Sequence, residues 1–112
     1  MNDSPIAQKS ANLADKSLLI VDDDNPFRDR LARAMTKKGY NVTQAESVKK
    51  GIEIVKSSIP AFAVVDLRLN DGSGLQVVKE IQKRNKNSKI VMLTGYGNIP
   101  TAVAAVKAGA ID

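Results

Sequence analysis

Apolar residues along this chain form two kinds of pattern, short continuous runs and longer stretches at helical spacing. Leu18-Leu19-Ile20-Val21, Ala61-Phe62-Ala63-Val64-Val65 and Ile90-Val91-Met92-Leu93 are runs of the first kind. Such runs, without polar alternation, suit parallel strands buried on both faces. Between them the period becomes that of a helix. Phe27, Leu31, Ala34 and Met35 recur at helical spacing after Asn25, a candidate cap, and Pro26, favoured at the first helical position. Gly39 ends that helix. Asn41 to Ala45 is more polar and predicts a strand at a sheet edge. Ser47 is placed to cap a second helix with Val48, Ile52, Val55 and Ile59 on one face, and Pro60 punctuates it. A loop from Leu67 to Ser73 leads to a third helix carrying Leu75, Val78 and Ile81. Gly95-Tyr96-Gly97 predicts another loop. Pro100 then stands near the start of an Ala/Val-rich helix that runs out near Gly109.

Strand and helix thus alternate four times. The pattern predicts the α/β class, a parallel sheet with helices on both faces and right-handed crossovers. Residues 1–16 are polar and aperiodic and are expected to form a flexible leader, with no apolar stretch of the kind a secretory signal needs. The longest apolar runs are far too short to span a bilayer.

Composition acts mainly by exclusion. At 112 residues the chain is one domain, large enough to bury a core without staples. It has no cysteine, which removes disulfides, thiolate metal sites and a cysteine nucleophile. It has no histidine either, so no imidazole serves as base, ligand or phosphocarrier. The net charge is +5, but Lys49, Lys50, Lys56, Lys79, Lys83, Arg84, Lys86 and Lys89 are spread over two predicted helices and a loop. No aromatic residue interleaves them for base stacking. They read as a solvated surface, not as a nucleic-acid or membrane footprint.

The residues that carry chemistry sit at strand ends. Asp22 and Asp23 follow the first strand, Asp66 the third and Thr94 the fourth. In an open parallel sheet, ligands bind beyond the carboxyl ends of the strands, where strand order reverses. Three carboxylates would converge there with one hydroxyl. Unit charges about 4 Å apart repel by roughly 4 kcal/mol at an effective dielectric near 20. Such a cluster calls for a cation or a proton. Hard oxygen ligands suit Mg²⁺, which leaves coordination positions for phosphate oxygens. A carboxylate beside it can act as a nucleophile toward phosphorus, with the Thr94 hydroxyl donating to a phosphoryl oxygen. Taken singly, each residue also has a plain reading, as a turn, a cap or a strand-end hydroxyl. Their joint placement at three strand ends favours the site. The stretch from Asp66 to Val77 is only faintly like a calcium loop, since its glycine is at position 7 and Val77 stands where glutamate belongs. Phosphate-loop, dinucleotide and hydrolase-elbow motifs are absent.

Ser17 to Asp24, Val65 to Leu69, Gly74-Leu75 and Leu93-Thr94-Gly95 together resemble the receiver domains of two-component response regulators, a resemblance running from about Ser17 to Asp112. It implies a flavodoxin-like (CheY-like) doubly wound parallel sheet and a phosphoacceptor at Asp66. It implies a Mg²⁺ site made by Asp22 (partly through water), Asp23, Asp66 and the main-chain carbonyl of Arg68, with Thr94 as the switch hydroxyl. The donor would be a histidine on a partner sensor kinase. The chain would be a cytoplasmic bacterial signalling receiver and not an enzyme, with only self-phosphotransfer and autodephosphorylation of its own.

Asn25 to Leu31, Asp66 to Gly72 and Thr94 to Asn98 are further similar to redox-responsive global regulators of the RegA/PrrA type. That likeness implies a C-terminal helix-turn-helix DNA-binding output domain beyond this chain. Asn70 stands where many receivers have proline, a departure the subfamily shares. Family spacing places the fifth strand, its phosphoryl-contacting lysine and the fifth helix beyond Asp112. Residues 17–112 are thus expected to hold four of five strand–helix units. The fourth strand would then present an apolar edge, open to self-association. The alternative is a phosphorylation-independent adaptor acting through protein contacts. A phosphotransferase or phosphatase with an aspartyl nucleophile is disfavoured, because Arg68 stands where its second catalytic acid would be.

Overall fold

The computed structural model describes residues 15–93 and 99–111. The elements are β1 (Ser17–Val21), α1 (Asn25–Lys37), β2 (Asn41–Ala45), α2 (Val48–Ser57), β3 (Phe62–Asp66), β4 (Arg68–Leu69), β5 (Gly72–Ser73), α3 (Leu75–Arg84), β6 (Lys89–Leu93) and α4 (Ile99–Ile111). Four strands pair in the order β2-β1-β3-β6, every pair parallel. The expected α/β doubly wound sheet is what the chain forms.

The alternation of side chains along β1 shows why the run Leu18 to Val21 has no polar gap. Leu18 and Ile20 pack with Phe27, Leu31 and Met35 of α1 and with Ala102 and Val106 of α4. Leu19 and Val21 face the other way, toward Val48 and Val55 of α2 and Val77, Val78 and Ile81 of α3. Successive side chains of a strand point to opposite faces, so a central strand between two helical layers is apolar throughout. The polar strand β2 lies at an edge, as its sequence predicts.

Several local expectations change. The cap of α1 is Asp24, whose side chain accepts the Phe27 N–H, and Asn25 is already helical. Both residue types cap well, and Asp24 has the extended backbone a cap requires. Ala32 is buried in α1 whereas Ala34 is half-buried. Ser47 caps α2 by accepting the Lys50 N–H. Ile59 lies beyond the end of α2 and is exposed. In α3 the inward residues are Val77, Val78 and Ile81, and Leu75 is 44% exposed. The expected loop over 67–73 contains the antiparallel ribbon β4–β5, closed through the Leu69–Gly72 pair around Asn70 and Asp71. Gly72 has φ +146, a conformation that disfavours a side chain. The last apolar run, β6, is not buried on both faces. Among the described residues it pairs on one side alone, and Met92 is 51% exposed.

Candidate functional site

The sheet's winding determines where the acidic residues meet. From β1 the chain moves outward to β2 on one side, then returns to place β3 on the other. The reversal lies between β1 and β3, and their carboxyl ends carry Asp22–Asp23 and Asp66. One carboxylate oxygen from each of Asp22, Asp23 and Asp66 lies within 4.8 Å of the others. Asp22 and Asp66 are buried, and Asp23 is half-buried. The structure therefore brings together the three acidic residues that sequence reasoning singled out. Thr94, the expected hydroxyl, lies outside the described residues, as do the loop 95–98 and the leader through residue 14.

Each carboxylate is held by backbone. Asp22 Oδ1 accepts the Asp24 N–H at 2.9 Å, and the Asp22 N–H donates to the Ala45 carbonyl at 3.0 Å. Asp23 Oδ2 accepts the Asn70 N–H at 2.9 Å. Asp66 Oδ1 accepts the Arg68 N–H at 3.0 Å, which places Arg68 beside the cluster through its main chain while its side chain is exposed. Burial raises the Asp22 carboxyl to about 6. The Asp24 N–H works against that shift, and the charges of Asp66, Asp23 and Asp24 add to it. Burial is the largest cause, and the neighbouring carboxylates disfavour the charged form further. Three hard carboxylate oxygens at one sheet end, part-buried and mutually repelling, fit a divalent cation with oxygen preference.

Three residues around the cluster carry roles that the sequence pattern had not revealed, and a fourth has the capping role that was one plain reading of its turn. Arg28 donates through Nη1 to the Asp22 carbonyl at 2.6 Å and through Nε to Gln44 Oε1 at 2.9 Å, tying α1 to the ends of β1 and β2. Asp71 accepts the N–H groups of Val48 and Lys49, 23 and 22 residues away, at 2.9 and 3.1 Å. These bonds hold its carboxyl below the usual carboxylate range. Asp71 is thus committed to a helix end, which disposes of the faint calcium-loop resemblance. Gly74 approaches the end of β3 so closely that a Cβ there would lie 2.1 Å from the Asp66 carbonyl oxygen and 2.8 Å from Val65 Cγ1. Asp24 joins them as the cap of α1, beside the two ligating candidates. The adjacent pair Asp71-Gly72 was the available turn signal for the ribbon.

A doubly wound sheet with an acidic cluster at its switch point defines a class, and comparison with known proteins agrees. Residues 18–112 match the response regulator receiver domain. The chain belongs to that family, whose members are signalling receivers of two-component systems and not classical enzymes. Among individual proteins, it is 58% identical over 99 residues to the photosynthetic apparatus regulatory protein RegA of Rhodobacter capsulatus. That match covers 88% of this chain and 54% of RegA, so the chain spans about half the length of the curated relative. A response regulator from Burkholderia pseudomallei, solved with a phosphorylated aspartic acid, calcium ion and citrate, is 36% identical with a TM-score of 0.69. It matches over 83% of this chain and 55% of its own. TrrA from Thermotoga maritima, solved in complex with Mg²⁺ and beryllofluoride, is 32% identical with a TM-score of 0.66, over 73% of this chain and 71% of that one. Among the described residues, no helix is long and apolar enough to cross a membrane.

Proposed function

We propose that this chain is a phosphorylation-controlled switch that accepts a phosphoryl group on Asp66 from a histidine of a partner sensor kinase. The observation that carries the reading is the convergence of Asp22, Asp23 and Asp66 within 4.8 Å at the switch point of the sheet. Asp22, Asp23, Asp66 and the main-chain carbonyl of Arg68 would hold Mg²⁺, which supplies neutralising charge to the transferring group. With Oδ1 of Asp66 engaged by the Arg68 N–H, Oδ2 is the nucleophilic oxygen. It attacks phosphorus, the phosphorus–nitrogen bond of the donor breaks, and the electron pair leaves with the imidazole nitrogen. Thr94 then donates its hydroxyl to a phosphoryl oxygen, coupling the modification to the segment that runs into α4.

Residues 17–112 are the receiver unit on this reading, with 1–16 a leader, in a cytoplasmic bacterial protein. The longer RegA relative supports a further domain in the whole protein, which the receiver would control and which we read as a DNA-binding transcription regulator. The receiver segment itself is assigned no contact with nucleic acid or membrane. Its β6 edge offers a pairing surface to a second copy of the chain. Beryllofluoride, a phosphoryl mimic, tests the site. It is expected to bind the wild type only when Mg²⁺ is present, and Asp66→Ala is expected to bind none. Metal-independent binding, or binding to Asp66→Ala, contradicts the assignment.

A further inference from the structure

The ribbon β4–β5 carries Asn70, whose N–H holds the Asp23 carboxylate. Two residue pairs are too few to keep such a ribbon in one place by themselves. Its position must come from ties to something firmer. One tie runs inward, from the Gly74 N–H to the Leu67 carbonyl at 3.1 Å. Another runs across to α2, where Asp71 accepts two successive N–H groups.

Helix α2 is a sound anchor. Its own cap, Ser47, accepts the Lys50 N–H at 3.0 Å, so the donors of Val48 and Lys49 are left for a partner from elsewhere. Val48 and Val55 are buried, and Gly51 sits so close to the core that a Cβ there would meet Val77 Cγ2 at 3.1 Å and Val21 Cγ2 at 3.3 Å. Asp71 and Asn70 are adjacent at the ribbon tip. Fixing one therefore fixes the other.

We propose that Asp71 is a positioning residue for the cation site: it straps the ribbon to the N-terminus of α2 and so holds the Asn70 N–H against Asp23. This rests on the reading that the acidic cluster binds Mg²⁺. Asp71 does not belong to the cluster itself and acts through Asn70. Outer partners that orient a ligating carboxylate typically change metal affinity by about 10-fold or more when removed.

The test is Mg²⁺ titration calorimetry on the whole chain, with Ser47→Ala as the comparison. That variant removes a cap from the same helix without touching the ribbon. Asp71→Ala is expected to weaken Mg²⁺ binding by about 10-fold, Asp71→Asn to fall between it and wild type, and Ser47→Ala to bind as wild type. Equal loss in Asp71→Ala and Ser47→Ala would reduce Asp71 to a helix cap and overturn the proposal. Unchanged affinity in Asp71→Ala overturns it too, with the cation site intact. Absence of Mg²⁺ binding by wild type removes the cation site and the proposal together. If Asp71→Ala fails to fold, amide NMR of the wild type decides. Mg²⁺ is expected to shift the Asn70, Val48 and Lys49 amides together, and a shift confined to Asn70 overturns the strap.

Discussion

Burial of Asp22 beside two other carboxylates leaves the cation-free protein with a charge that weakens its fold. Its folded carboxyl titrates near 6, above the ordinary 3.8, so between those values the folded state holds a proton that the unfolded chain has released. Stability must then rise as pH falls through that window. In the presence of a chelator, the melting temperature is expected to be higher at about pH 5 than at about pH 7, and Mg²⁺ should narrow the gap by raising the value at pH 7. A chelated protein that melts lower at pH 5 would contradict the account of Asp22. Gly74 supplies a second residue-scale prediction. Its backbone is ordinary helix, so the requirement is one of space, not of φ. Gly74→Ala pushes the Asp66 carbonyl aside, with a stability loss of about 1–3 kcal/mol in urea unfolding and a fall in phosphoryl-adduct yield. Wild-type stability together with wild-type yield would show that the strand end tolerates the methyl group. At this scale the acids Asp22, Asp23 and Asp66 were legible because each follows an apolar run. Asp71 was not, because its partners lie more than twenty residues away and nothing local marks the pairing.

At the scale of elements, periodicity located every helix and principal strand but left some faces ambiguous. In α3, Leu75-Val78-Ile81 and Val77-Val78-Ile81 both satisfy helical spacing, and only packing against Val21 and Gly51 selects Val77. The ribbon β4–β5 escaped because two residue pairs are too short to show alternation. The run Ile90 to Leu93 has the composition of a central strand, yet β6 has a sheet partner on one side alone among the described residues, where it pairs with β3. Composition reports what a strand is suited to, and sheet order reports what it touches. On the reading proposed above, the open side of β6 beside the exposed Met92 would serve as a pairing template. Light scattering across a concentration series is expected to show this chain associating, with a charge at Met92 (Met92→Lys) restoring the monomer. A monodisperse wild-type monomer at the highest concentration would contradict that use of the edge.

For the whole molecule, the alternation of strand and helix was enough to place the acidic residues at the carboxyl end of the sheet. A parallel sheet wound in both directions from a central strand has one reversal, and residues at the carboxyl ends beside it converge whatever the loops do. The order β2-β1-β3-β6 itself does not follow from alternation; it is read from the pairing of the strands. What the whole fold achieves is to bury Asp66 at the end of a strand held on both sides, with Asp22 and Asp23 facing it and Arg68 beside it. Peptide mass spectrometry after incubation with Mg²⁺ and acetyl phosphate tests that arrangement most directly. The account predicts one phosphoryl adduct, mapping to Asp66, dependent on Mg²⁺ and absent from folded Asp66→Asn. An adduct elsewhere, or one that persists in Asp66→Asn, would contradict it.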